Sequence, residues 1–195
     1  MSQTTSLAGQ AQHVADLLPG VEDARLDART PCADYTVADL LQHLLELTEA
    51  FTDAAAKRST PLTAEAPQPS GDALVPGWRT RLPERLTALA DAWRDPGAWE
   101  GTTQAGGIEL PGEQAGVIAL NEILVHGWDL ARATGQPYSA DPAAVRTCLA
   151  FLDGFDGSGE EGLFGPRVPV PDTAPELDRV IGLSGRDPGW PGTAG

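Results

Sequence analysis

The sequence predicts an all-α fold: a four-helix bundle with an extra helix and a Gly/Pro-rich C-terminal tail. Three observations carry this expectation. Apolar residues form 41% of the 195-residue chain and aromatics only 6%, and the apolar set is mostly Ala and Leu, which favours helices over a β-sandwich. Apolar positions recur at helical spacing along most of the chain. Prolines and glycines gather between those runs and again near the C-terminus. One core is expected, with residues 1–155 as the helical bundle and 156–195 as an extension packed on it, not a separate domain.

In chain order, Leu7, Ala11, Val14, Leu17 and Leu18 outline a first helix, closed by Pro19-Gly20. A second begins at Thr36, where Thr-Val-Ala-Asp fits a capping box completed by Asp39. It carries an apolar stripe from Val37 to Phe51 and ends near Lys57 and Arg58, cations suited to a helix C-terminus. Residues 59–71 read as a loop. A third helix is expected from about Asp72 to Trp93, with Pro83 marking a kink or a late start. Trp99 to Gly112 reads as a loop or short hairpin. The fourth helix, Glu113 to Thr134, is the most apolar and stops at Gly135-Gln136-Pro137. The extra helix starts at Asp141-Pro142, an N-cap followed by proline at the first helical position, and runs to about Asp153. A short helix near Pro175 to Leu183 falls in the tail, whose apolar residues suit packing on the body.

Charge and motifs exclude several functions. Thirteen basic residues against 28 acidic ones give a net charge of −15, which repels nucleic acid and anionic membranes alike. No run approaches the roughly 18 apolar residues of a membrane span. Met1 to Gln12 lacks the basic start and apolar core of a signal peptide, so the expected location is cytoplasmic. Cys32 and Cys148 are too few for a disulfide framework or a CxxC metal knuckle and read as small buried hydrophobes.

The chemistry concentrates in the fourth helix. It is apolar nearly all round, which marks it as buried on most sides, yet it carries Glu122, His126 and Asp129. Spacings of four and three put all three on one stripe. A buried carboxylate needs compensation, and a divalent cation held by Glu122 and His126 would supply it. Asp129 could accept the second ring N–H of His126 and fix its tautomer, or could pair with Arg132 or an arginine of the tail. A third ligand must come from another helix. Of the three histidines, His43 lies beside the apolar stripe of the second helix, within reach of the interior, whereas His13 reads as a surface residue. A His–Glu–His set leaves a position for water or substrate, as in a catalytic zinc site; nickel, iron and manganese suit the same ligands. Trp128 and Trp78 are expected in the core or the pocket wall, and Gly127 either allows close helix contact or leaves space beside the metal.

Thr30-Pro-Cys-Ala-Asp-Tyr-Thr-Val-Ala-Asp-Leu-Leu-Gln-His43, with Asn121-Glu122 and His126-Gly-Trp-Asp129-Leu-Ala further along, resembles the DinB-like metal-binding four-helix bundles. Within them it is most similar to the actinobacterial branch related to mycothiol-dependent maleylpyruvate isomerase. The ending, from Phe164-Gly-Pro to Gly185-Arg-Asp-Pro-Gly-Trp190, resembles a small uncharacterised subgroup. The resemblance implies the metal triad His43, Glu122 and His126, an open metal position, and activation there of a thiol such as mycothiol or bacillithiol. It also implies a contrast: the isomerase carries a further C-terminal α/β domain that supplies an active-site arginine, where this chain has a short Gly/Pro-rich ending. Isomerisation of maleylpyruvate itself is therefore not the expected activity.

The leading expectation is a metal-dependent, low-molecular-weight-thiol transferase or isomerase acting on a small electrophile. In that reading Asp129 is the catalytic auxiliary and Trp128 lines the cofactor site. Metal-assisted hydrolysis without a thiol is the second reading, and a non-catalytic metal- or ligand-binding protein is the third. A small-molecule substrate and the thiol are the expected partners, and a homodimer is compatible with such a bundle.

Overall fold

The second helix shows how the sequence positions the site. Thr36 sits extended (φ −74°, ψ 172°) as the N-cap of α2 (Val37–Ala55). Its hydroxyl accepts from Asp39 N–H at 3.2 Å, and Asp39 Oδ2 accepts from Thr36 N–H at 2.9 Å, so the capping box expected from the sequence is present. The helix is thereby held at its start, less than two turns before His43. Thr36→Ala is expected to lower unfolding free energy by about 1 kcal/mol, measurable as a shift in urea midpoint at unchanged m-value.

The chain is described here by a computed structural model covering residues 6–65, 74–159 and 164–191. Besides α2 its helices are α1 (Ala8–Leu17), α3 (Pro61–Ala64), α4 (Trp78–Ala92), α5 (Pro96–Trp99), α6 (Gly112–Thr134), α7 (Pro142–Leu152) and α8 (Glu176–Leu183). The long helices close to the expected bounds. Two differences concern α4 and the loop before it. Helix α4 starts after Gly77 and runs through Pro83, so the proline marks neither its start nor its end, and residues 72–73 lie outside the described residues. Within the expected loop, Thr60 and Thr63 cap a single turn, α3. The stretch before α6 is the short hairpin, β1 (Thr102–Ala105) paired antiparallel with β2 (Ile108–Pro111).

Helices α1 and α2 each pack against both α4 and α6. The bundle is therefore a square in which α1 lies diagonal to α2 and α4 diagonal to α6. Helix α6 also touches α5, α7 and the hairpin, which explains why it is apolar on nearly every side. Its Leu120, Ile123, Leu124 and Leu130 are fully buried. Helix α7 starts from Asp141, whose carboxylate accepts from Ala143 and Ala144 N–H, and buries Cys148 in the common core. Burial pushes that thiol up to about 12. Helix α8 packs on α7. No helix among the described residues is long and apolar enough to cross a membrane.

Candidate metal centre

Three side chains meet between α2 and α6. His43 Nε2 lies 3.6 Å from Glu122 Oε2, and His126 Nε2 lies 3.2 Å from the same oxygen. The two imidazoles stand edge to face, ring centroids 4.8 Å apart. One ligand atom from each residue falls within 4.8 Å of the others. The side chains of His43, Glu122 and His126 are 11%, 13% and 8% exposed, so the cluster is largely shielded from solvent. The second helix contributes one candidate ligand and the fourth long helix two, through the i, i+4 stacking of Glu122 and His126.

Asp129 lies one turn beyond His126, with its side chain fully buried. Its Oδ2 accepts from His126 Nδ1 at 3.0 Å, which turns Nε2 toward Glu122 and His43. The same Oδ2 accepts from Arg186 Nη2 at 3.2 Å. Of the three partners weighed for Asp129 in the sequence, the histidine and a tail arginine are thus both engaged. Arg132 is turned elsewhere, donating to the Trp190 carbonyl and lying over the Trp128 ring at 5.7 Å.

Electrostatics agree with the geometry. Burial opposes ionisation of Glu122, but its hydrogen bonds with His126 and His43 outweigh that and hold the carboxyl well below the usual carboxylate range. Burial alone would discharge His126; the carboxylates of Asp129 and Glu122 on its two nitrogens reverse this and raise its pKa. His43 is lowered by burial, which the Glu122 hydrogen bond only partly offsets. A ring placed between two carboxylates holds a proton on each nitrogen. A cation at Nε2 replaces one of those protons, as deprotonated ligands require. The donor set and the carboxylate behind Nδ1 both fit a divalent ion.

Trp128 does not join this cluster. It is two residues past His126, roughly 200° around the helix, and lies under Arg132 on another face. Trp78 lies in the hydrophobic core with the Arg79 guanidinium 4.2 Å over its ring. The aromatic beside the ligands is Tyr35, its ring 5.2 Å from that of His43. Burial pushes its phenol up to about 12. Cys32, read from the sequence as a buried filler, is half-buried, and its thiol lies within 4.8 Å of ligand atoms of His126 and Asp129. Burial pushes that thiol up to about 11 against the opposing Arg186 charge. Tyr35 and Cys32 belong to the irregular segment before α2, where no periodicity marks which side chains turn inward.

Comparison with known proteins bears on the fold and the family. Proteins of Mycobacterium tuberculosis strains CDC 1551 and H37Rv, both uncharacterised, are 29% identical over 178 residues, covering 88% of this chain and 91% of theirs. The crystal structure of the mycothiol-dependent maleylpyruvate isomerase superposes with a TM-score of 0.63 at 19% identity, over 92% of this chain and 87% of that one. A histidine-to-alanine mutant of the isomerase gives 0.56 at 18% identity, over 75% and 66%. At that identity the likeness shows the fold. The sequence profile of the mycothiol maleylpyruvate isomerase N-terminal domain matches residues 7–131, from α1 almost to the end of α6, and the chain belongs to that family.

Proposed function

We propose that this chain is a divalent-metal-dependent enzyme, a transferase or isomerase that uses a low-molecular-weight thiol, mycothiol by family, on a small electrophile. The observation that carries the reading is the convergence of His43 Nε2 and His126 Nε2 on one oxygen of Glu122 in a largely shielded cluster. His43, Glu122 and His126 would hold the ion, with zinc the best match to two imidazoles and a carboxylate. Bound there, the ion would lower the pKa of a thiol beside it and so supply a nucleophile near neutral pH.

The protein's own groups set the conditions for that chemistry. Asp129 keeps the proton on His126 Nδ1 and leaves Nε2 as the donor atom. Glu122 contributes the negative charge that offsets the ion. The side chains of α2 and α6 shield the ligands from bulk water, and low local dielectric strengthens each of these interactions. Tyr35, its ring beside that of His43, provides a phenol that stays protonated at neutral pH.

Cobalt-loaded protein titrated with mycothiol, bacillithiol and a simple thiol tests the reading. A near-ultraviolet charge-transfer band, together with turnover that saturates in thiol, is the expected result. Turnover of an ester or amide without any thiol would instead assign the site to hydrolysis. Bound metal with no turnover and no band would leave a binding protein.

A further inference from the structure

The structure assigns Arg186 as a positioning residue for the metal centre: it locks Asp129 so that Asp129 holds the ring of His126 with Nε2 toward the ion. The inference rests on the metal reading of the triad, and it ties the C-terminal segment to a site built from α2 and α6.

Four observations support it. First, the guanidinium and the imidazole share one oxygen. Arg186 Nη2 and His126 Nδ1 approach Asp129 Oδ2 at 3.2 and 3.0 Å, while Asp129 Oδ1 has no hydrogen-bond partner among the described residues. An arginine serving only to neutralise a carboxylate favours the two-oxygen fork; here the second oxygen is left aside and both partners meet at the first. Second, the terminal torsion of an aspartate is broad and roughly two-fold. A hydrogen bond to the histidine alone leaves the carboxylate free to exchange oxygens, and a second donor on the same oxygen removes that freedom.

Third, Arg186 is itself fixed. It is 9% exposed, and its Nη1 donates to the Ser184 carbonyl at 2.8 Å. Helix α8 ends in a glycine reversal, with Arg186 N–H donating to the Ile181 carbonyl and Gly185 N–H to that of Gly182. Gly185 has φ 82°, and a Cβ there would meet Gly165 backbone at 2.8–2.9 Å. No other residue makes this turn at that approach, so the direction in which Arg186 leaves α8 is set by the backbone. Fourth, the nearer candidate is occupied: Arg132, one turn past Asp129, is spent on Trp128 and the Trp190 carbonyl.

The test is a double-mutant cycle read in zinc affinity by chelator competition, beside nitrogen-15 NMR of the His126 ring in metal-free protein. Arg186→Gln is expected to weaken zinc about tenfold, at the lower end of the range for groups behind a ligand. It is also expected to loosen the Nδ1–H hydrogen bond to Asp129, read in metal-free protein as faster exchange of the Nδ1 proton with water. In the Asp129→Asn background the same change should cost no further affinity, because Arg186 acts through Asp129. Arg186→Lys keeps the charge and the fold but not the tether to Ser184, and should show a smaller loss in the same direction. Lowered thermal stability with zinc affinity and Nδ1 proton exchange unchanged, in either variant, would overturn the assignment, as would additive losses in the cycle. If wild-type protein binds no zinc, the triad reading fails. The ring signal in metal-free protein still decides the role of Arg186.

Discussion

Replacing His43 or His126 by alanine is expected to abolish stoichiometric divalent-metal binding while the far-ultraviolet circular dichroism stays that of the wild type. Each histidine supplies one of three donors, and the carboxylate that remains with one imidazole forms only a weak site. The fold survives because the core is apolar, with Leu40, Leu41, Leu44, Ile123 and Leu124 fully buried on the same two helices. A ligand that binds only the folded state raises stability by about 2.7 kcal/mol at a hundred times its dissociation constant. Wild-type melting temperature should therefore rise with added zinc, and that of both variants should not. His13→Ala serves as control, since α1 lies diagonal to α2 and its histidine belongs to no donor cluster among the described residues. Metal content equal in wild type and both ligand variants would remove the triad from the function.

The bundle was legible because its physics is local. A capping box announces α2, an all-round apolar run announces α6, and an Asp-Pro pair announces α7, each with a single-segment cause. Glu122, His126 and Asp129 were legible for the same reason, since helical spacing alone stacks them. His43 needed a second argument, the scarcity of histidine. The same arithmetic sets Trp128 apart from the triad, since two residues past His126 is roughly the opposite side of the helix. What stayed hidden is carried by irregular backbone. Tyr35, Cys32 and Arg186 sit in turns, where side-chain direction follows from individual dihedrals such as the φ of Gly185. For Arg186 one signal was present. A buried Asp129 invites a cation, and a tail arginine was among the candidates, but nothing in the sequence distinguishes Arg186 from Arg167 or Arg179.

Gly127→Val separates the two uses the sequence allows for that glycine, and should cost roughly 2–6 kcal/mol of stability with zinc affinity per folded molecule unchanged. A Cβ at Gly127 would lie 2.8 Å from Val14 Cγ2 and 2.9 Å from Tyr138 Oη. Neither neighbour is free to move. Val14 is fully buried on α1, and Tyr138 Oη donates to the Leu124 carbonyl at 2.7 Å while accepting from Gln10 Nε2 at 2.6 Å. Gln10 in turn accepts from Asp141 N–H through Oε1, so the contact ties α1, α6 and the start of α7 together. Overpacking here costs about 1–3 kcal/mol, and a displaced Tyr138 leaves buried polar groups unpaired at about 1–3 kcal/mol more. The glycine faces α1, diagonal to the helix that carries His43 and about 100° round α6 from His126, so the clash falls on α1 and Tyr138 and not on a ligand. Urea unfolding reads the first quantity and chelator competition the second. A valine variant of near wild-type stability but weakened zinc binding would show that the glycine makes room beside the ion instead.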